Sequence, residues 1–439
     1  MSISSMQNLD RFISLPDFVR DHILSFLSME DAAKTSVLSR QWRHSCSSLS
    51  NLKFQQNKSR KLNSSNFNQW LIRKKMDFRN FVDHLLIQHD QTDIQSFDLS
   101  MSIDRLVAWD DRIKTWILFA ILHNVRELYL NFESRKSEKF NYSFFSCSSL
   151  NLLSLFNVIV KFTTTVFLPN LNTLKLSYVE FYDQNMAENL FSSCPVLQCL
   201  TLEHCRLIHG NNFTISATKL RQISYIGNKI PRISSETLSS LKDVTFVIQS
   251  TTRFDFMQKV PVYSDKGNVL TGLHNVETLT LRGNWTKILD TVPGLFSSRS
   301  WSCCSLKHLE LDMCPLKDDF VLLINMLRAY SNLESLQMTL KGGPLNKYQS
   351  RLQRPEEFLT GSLLTHLKGV EIQNFGRRDN FDLHIVKYLL ENAISLEKMK
   401  INYGYNARKD TELRMSISEI MLSYTMASSH AVIEFFGGE

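Results

Sequence analysis

The chain has 439 residues, of which 43% are hydrophobic and 21% are charged. This length exceeds that of a single ordinary core, so several domains or an extended repeat array are expected, and the composition excludes a largely disordered chain. With only 14 Gly and 9 Pro, the sequence also argues against Gly-rich linkers, a collagen-like segment and an all-β protein with many tight turns.

The formal net charge of +7 is concentrated in one segment. Residues 51–80 contain eight Lys and Arg side chains opposed only by Asp77, and the rest of the chain is close to neutral. The segment could contact phosphate or an acidic partner, or it could be a solvated connecting face. Because no basic footprint extends beyond it, nucleic-acid binding is disfavoured.

The sequence also indicates the cellular compartment in which the protein is expected. Residues 1–11 contain no apolar run behind a basic start, and no run of 18 apolar residues occurs anywhere, so neither a secretory signal nor a membrane span is expected. The eight cysteines include no Cys-x-x-Cys pair, which favours reduced thiols over zinc sites or disulfides. We therefore expect a protein of the nucleus, the cytoplasm or both, with no metal.

Residues 10–43 are predicted to form three short helices. Pro16 suits the first turn of a helix, and Ser28 and Ser39 occupy positions typical of N-caps, the first in a capping box with Asp31. A core this small is not secure alone, so its apolar residues are better explained by contact with a partner. The apolar stripe of the first helix consists of Leu15, Val19, Ile23, Phe26 and Leu27.

Several motifs lie together in this segment, namely Leu15-Pro16-Asp17, Ile23-Leu24, Leu27, Asp31-Ala32-Ala33 and Val37-Leu38-Ser39-Arg40-x-Trp42-Arg43. Together they resemble the F-box, assigned here to residues 8–50. Gln41 stands where that family usually has Lys, a polar exchange that should not abolish docking. The resemblance implies binding to the Skp-type adaptor of a cullin-based ubiquitin ligase. The residues it places in or behind the adaptor interface are Leu15, Pro16, Val19, Ile23, Leu24, Leu27, Val37, Leu38, Ser39, Trp42 and Arg43.

An apolar-x-x-apolar-x-apolar unit recurs twelve times, beginning between Ile94 and Leu396 at a mean interval of about 27 residues, which is within the leucine-rich-repeat range. Its first position is Leu in nine units, and Asn or Ser precedes that position in eight. The last two apolar residues are two apart, so both side chains leave one face of a strand. Stacked units should form a parallel sheet, with helices near residues 183–191 and 318–329.

The predicted architecture is α/β: the three-helix F-box is followed by an irregular leucine-rich-repeat solenoid, a horseshoe with its parallel sheet on the concave face. Residues 51–92 are assigned to a basic connecting segment and N-terminal cap, and residues 93–362 to the repeats. The longest intervals between successive repeat units predict loops near residues 251–267 and 342–355. These loops either contact a partner or are surface connections without a specific role. The polar strand residues expected to contact a target are Tyr129, Lys175, Thr201, Thr280, Glu310 and Gln337.

The C-terminal residues carry a second resemblance. Residues 367–376, 386–393 and 396–399 look like the FBD module that accompanies F-boxes and leucine-rich repeats in a large plant family, and residues 427–429 and 432–435 resemble its ending. We assign residues 363–439 to this module. Mechanically it is a cap, because the end of a repeat array leaves apolar surface and an open sheet edge that must be covered.

No phosphate-binding loop, nucleophile elbow or zinc-protease motif occurs, and the adjacent His204 and Cys205 are interpreted as a packed turn rather than a nucleophile pair. The sequence therefore predicts a non-catalytic protein without a cofactor. The resemblance to the F-box implies the substrate-recognition subunit of a ligase containing a Skp-type adaptor and a cullin, with repeats that would bind the protein to be ubiquitinated. The alternatives are a small-molecule (hormone) co-receptor and a repeat scaffold that has no ligase role.

Overall fold

A computed structural model describes residues 15–56, 67–103, 110–134, 140–142, 146–160, 166–210, 212–228, 231–249, 272–283, 285, 305–313, 317–341, 364–376 and 381–437. The chain divides into two compact units, Met1–Phe213 and Thr214–Glu439. The loops predicted near residues 251–267 and 342–355 lie outside the described residues, as do Lys58, Arg60 and Lys61 of the basic segment.

Three short helices open the first unit: α1 (Asp17–Ser25), α2 (Met29–Thr35) and α3 (Arg40–Ser47). The two predicted N-caps are confirmed. The backbone N–H of Asp31 donates to Ser28 Oγ at 3.1 Å, and that of Trp42 donates to Ser39 Oγ at 3.3 Å. These bonds satisfy N–H groups that have no partner within the helix, so each short helix begins at a defined residue.

The rest of the first unit is built from parallel strands with helices between them. In the described residues, β1, β2, β3, β5, β7 and β9 form one sheet in that order, and β10, β8, β6 and β4 form a second. The strands are β1 (Asn51–Gln55), β2 (Ser96–Ile103), β3 (Glu127–Ser134), β4 (Phe140–Tyr142), β5 (Leu152–Phe156), β6 (Val158–Val160), β7 (Thr173–Ser177), β8 (Glu180–Phe181), β9 (Cys199–Glu203) and β10 (Arg206–Leu207), and the helices are α4 (Phe67–Gln88), α5 (Asp110–Leu122) and α6 (Gln184–Ser192).

The register of the larger sheet aligns equivalent positions of successive repeats. Phe97 of β2 pairs with Leu128 of β3, and the same row continues through Leu153, Leu174 and Leu200. All five side chains are fully buried. Because residues at alternate positions of a strand leave opposite faces, the intervening polar residues lie on the other face, as the sequence predicts.

Residues 51–92, assigned from sequence to a basic connecting segment and N-terminal cap, begin with a strand that joins the repeat sheet. Asn51–Gln55 is the first strand of that sheet, with Leu52 opposite Phe97 and Phe54 opposite Leu99. Both Leu52 and Phe54 are buried. Leu49, Leu52 and Phe54 have the same spacing as the other repeats, a signal that the basic residues around them obscured.

The second unit has a parallel sheet in the order β12, β14, β15, β16, β17, β18, β19 and β20, together with the strand pair β11 and β13, among its described residues. Its strands are β11 (Thr214–Ile215), β12 (Gln222–Gly227), β13 (Arg232–Ile233), β14 (Asp243–Ile248), β15 (Thr278–Gly283), β16 (His308–Met313), β17 (Ser335–Leu340), β18 (Gly369–Phe375), β19 (Lys398–Tyr403) and β20 (Val432–Phe436), and its helices are α7 (Ser235–Ser240), α8 (Lys317–Ala329), α9 (Phe381–Asn392), α10 (Tyr405–Lys409) and α11 (Thr411–Leu422).

The second unit repeats the packing of the first. Its inner row runs from Ile223 through Val244 and Leu279 to Ile433 of the last strand. The predicted helix near residues 318–329 is present as α8, which buries Phe320, Leu323, Ile324 and Leu327. Strand β20 pairs with β19 and ends the sheet, as the resemblance to the FBD ending implies. Within the described ranges, no helix combines the length and apolar character needed to cross a bilayer.

Candidate partner-binding surfaces

The three N-terminal helices share a very small core. Leu24, Ala32 and Trp42 are buried, with at most 3% of each residue exposed, and Met29 and Cys46 add to this cluster of buried residues. Few apolar side chains are thus available to stabilise the helices, and much of the remaining stabilisation must come from the N-caps and from contacts with the neighbouring sheet.

Arg20 links two of the helices from inside the module. It is buried, its Nε donates to Ser45 Oγ of α3 at 3.2 Å, and its other nitrogens bond the Asp17 carboxylate and the Leu15 carbonyl. A buried guanidinium is tolerated because these acceptors replace its water. Arg20 therefore sets the position of α1 against α3. Sequence reasoning missed this residue, because it occurs among ordinary helix-surface charges.

Large apolar side chains lie on the outer surface of the module. Phe18, Phe26 and Val37 are each more than 70% exposed, and Leu38 is 64% exposed. Exposing such side chains to water does not stabilise a monomer, and clusters of exposed apolar side chains mark interaction sites. Phe18 was not predicted, although Phe18, His22 and Phe26 are spaced four apart, and the rings of His22 and Phe26 meet edge to face at 4.8 Å.

The predicted adaptor-binding residues fall into buried, half-buried and exposed groups. Leu24 and Trp42 lie in the small core, so they support the surface and are not part of it. Ser39 is half-buried and serves as the N-cap of α3. Leu15, Val19 and Ile23 are also half-buried, and the exposed members are Pro16, Leu27, Val37, Leu38 and Arg43.

Three of the predicted target-binding residues lie in each unit. Tyr129, Lys175 and Thr201 lie in one cross-strand row of the first unit, together with Asp98 and Ser154. Each of the three is at least partly exposed. Glu127 accepts a hydrogen bond from the Tyr129 hydroxyl at 3.1 Å, and desolvation, followed by this bond, raises the pKa of Tyr129. The three predicted residues thus present one cation and two neutral hydroxyl groups, and Asp98 adds a carboxylate to the row.

Thr280, Glu310 and Gln337 form the corresponding row in the second unit. Thr280 is only 8% exposed, so little of this predicted contact residue is accessible. Its neighbour on β16 covers it: the Thr280 hydroxyl lies 3.4 Å from the carboxylate of Glu310. Glu310 is in turn bound by the guanidinium of Arg282. Neighbouring side chains therefore already form hydrogen bonds with the polar groups of Thr280 and Glu310.

The adjacent His204 and Cys205 form a turn, as predicted. His204 has a positive φ of 50°, its ring lies 4.8 Å from that of Tyr178, and Cys205 Sγ donates to the Leu176 carbonyl at 3.2 Å. The five cysteines in the described ranges are free thiols. Those ranges contain no group of three or more His, Cys, Asp or Glu side chains placed to hold a metal ion.

Two known protein families match the regions that contain these helices and strands. The F-box domain family matches residues 12–54, which span the three helices and nearly all of β1. The family described as At1g61320/AtMIF1, LRR domain, matches residues 85–434 and so covers repeats in both units. The chain belongs to the plant F-box/FBD/leucine-rich-repeat family.

Three Arabidopsis thaliana relatives illustrate the family. F-box protein At4g09920 is 32% identical over 71% of this chain and 90% of its own length. Putative F-box/FBD/LRR-repeat protein At4g00315 is 24% identical over 95% of this chain and 98% of its own length. Putative F-box/LRR-repeat protein At3g18150 is 30% identical over 64% of this chain. In that last case the match spans only 61% of the relative.

Proposed function

We propose that this chain is the substrate-recognition subunit of an SCF-type ubiquitin ligase, in which its F-box binds a Skp-type adaptor and, through it, a cullin. The observation that carries the proposal is the exposed apolar surface of the F-box, formed by Phe18, Phe26, Val37 and Leu38. Apolar surface removed from water contributes about 25 cal/mol per Å². A partner that covers these side chains would therefore gain binding free energy from their burial.

In this role the chain is not an enzyme. It would hold the target protein near a ubiquitin carrier, and the resulting effective concentration, with suitable orientation, would accelerate transfer without a catalytic group of its own. The partly exposed sheet-face residues Tyr129, Lys175, Thr201, Glu310 and Gln337 remain the candidate target contacts. We place the complex in the nucleus, the cytoplasm or both, in keeping with the cysteine content.

The proposal can be tested by co-expressing the full chain with a plant Skp-type adaptor and measuring adaptor recovery and affinity. A Val37→Ser, Leu38→Ser double variant should bind the adaptor at least about tenfold more weakly, because it removes apolar surface from the proposed interface. Its unfolding free energy should change by no more than about 0.5 kcal/mol, since both side chains are exposed.

A matched control is Leu122→Ser. Leu122 is 71% exposed but lies at the end of α5, outside the F-box, so this variant should retain adaptor binding. Equal adaptor affinity of the double variant and the native chain would contradict the proposal. Failure of the native chain to recover adaptor would favour the alternative of a repeat scaffold.

A further inference from the structure

The last strand of the second unit leaves one edge of its sheet open. Among the described residues, β20 pairs with β19 and with no other strand. The backbone N–H of Val432 donates to the Glu397 carbonyl at 3.0 Å. Because alternate residues of an edge strand bond the neighbouring strand, the N–H and C=O groups of Ile433 and Phe435 point away from β19. Such an edge can pair with a further strand.

The core-facing side chains of β20 are less covered than those of the strand beside it. Met399 and Ile401 of β19 are fully buried, whereas Ile433 and Phe435, which lie opposite them, are only half-buried. The strand also contains no Lys or Pro, the residues that commonly prevent edge strands from pairing. A strand added at this edge would remove further apolar area from water.

Strand β20 is complementary to a second copy of itself in the antiparallel direction. A two-fold axis through Glu434 places Ile433 of one copy opposite Phe435 of the other, so that their outward backbone groups face each other as a hydrogen-bonded pair. The same axis places Val432 opposite Phe436. These two side chains are 55% and 43% exposed, so each exposed apolar group would meet an apolar partner.

Glu434 is the one residue of the strand that would oppose this pairing, because the axis brings its two copies together. Its carboxylate binds the Lys398 ammonium at 2.7 Å, and Lys400 is its cross-strand neighbour on β19. At the axis, two carboxylates would therefore lie among four Lys side chains. These cations offset the repulsion between the two carboxylates.

We propose that two copies of this chain bind each other by antiparallel pairing of their β20 strands. A second copy fits better than an unrelated extended segment, because the match of apolar side chains and backbone groups is a property of the strand with itself. The dimer would hold two F-boxes and two sets of candidate target contacts in one complex, which increases avidity for a target with two binding sites. The pairing is independent of adaptor binding and so of the ligase role.

The proposal can be tested by analytical ultracentrifugation of the full chain over a range of concentrations, without adaptor. The native chain should reach twice the mass of one chain. A Val432→Lys, Phe436→Lys double variant should have a dimer dissociation constant at least about tenfold higher, because it twice places like charges opposite each other. Its thermal midpoint should stay close to the native value, since both side chains are exposed.

A Val432→Lys, Phe436→Glu double variant is the matched control. It removes the same apolar side chains, but the antiparallel register pairs the ammonium of one copy with the carboxylate of the other. It should dimerise at least about fivefold more tightly than the double-lysine variant. Leu122→Lys, at a position that is 71% exposed in the first unit, should dimerise like the native chain. The same is expected of Val37→Ser, Leu38→Ser, which tests association through the F-box surface.

A native chain that stays monomeric at every concentration would overturn the proposal and would leave the edge to an extended segment of a different protein. Equal dissociation constants of the two β20 double variants would overturn the antiparallel register. Loss of the dimer in Val37→Ser, Leu38→Ser would assign the association to the F-box instead. Adaptor recovery is measured separately, so failure of dimer formation and failure of the ligase role are distinguishable.

Discussion

The F-box and the repeat sheets differ in whether their large apolar side chains are exposed or buried. In the sheets, Phe97 and its row partners are fully buried between successive repeats. In the F-box, Phe18, Phe26 and Val37 are mostly exposed. A repeat buries its apolar side against the next repeat of the same chain, whereas the three helices have too few residues to cover their own. Substitutions in the sheets should therefore change stability, and those on the F-box surface should change binding.

The largest expected effect lies in the sheet core. Leu174→Ala should lower the free energy of unfolding by about 2–5 kcal/mol, because the side chain is fully buried and its removal leaves a cavity. The adjacent Lys175→Ala, on the exposed face of the same strand, should change it by no more than about 0.5 kcal/mol. Urea denaturation of the two variants measures the difference. Similar losses in both would show that the two faces are not distinct.

Helix α1 allows the same contrast to be tested within the F-box. Phe18→Ala should lower adaptor affinity by about 1–4 kcal/mol, because an exposed aromatic residue is a typical anchor of an interface, and should leave stability almost unchanged. Leu24→Ala, at a buried position of the same helix, should instead destabilise the F-box itself. Calorimetric titration with the adaptor and thermal denaturation separate these outcomes, and a Phe18→Ala variant that loses stability rather than affinity would remove the contrast.

The N-caps of the F-box should have a smaller effect. Ser39→Ala removes the acceptor for the Trp42 N–H and should cost about 1 kcal/mol of stability. Ser39→Asp restores an acceptor and should recover most of that loss. The thermal midpoint of the three proteins provides the measurement. If Ser39→Ala matched the native protein, packing by Trp42 rather than the cap would determine where α3 begins.

The smallest expected effect is a dependence of stability on pH, caused by His89 at the junction of the F-box and the repeats. His89 lies opposite the Leu49 carbonyl at 3.1 Å, and burial lowers its pKa below the usual 6.5. The unfolded chain therefore takes up a proton before the folded chain does. Stability is full above about pH 6.5 and declines as the pH falls towards the folded-state pKa.

His89→Gln can still donate to the Leu49 carbonyl but cannot be protonated. Its thermal midpoint should therefore fall less than that of the native chain between about pH 7.5 and pH 5. Part of the decline should remain, because burial also lowers the pKa of His384 in the second unit. An unchanged decline in His89→Gln would exclude His89 as a source of the pH dependence.

The features that depend on local spacing could be predicted from the amino-acid sequence. The distance of two residues between Leu128 and Leu130 places both on one face of a strand, and the recurrence of that pair predicts a stack of parallel strands. The serine caps of α2 and α3 are equally local, because each bonds an N–H three residues away. None of these features requires knowledge of distant parts of the chain.

Which side chains are buried depends on contacts between segments that are distant in sequence. Leu24 and Leu27 both belong to the predicted adaptor-binding set, yet Leu24 is buried and Leu27 is 39% exposed. Thr280 matches the pattern of an exposed strand residue but is covered by Glu310. Strand β1 is recognised through its pairing with β2. Spacing along the chain specifies the direction of a side chain, whereas burial depends on neighbours that folding brings from far away in sequence.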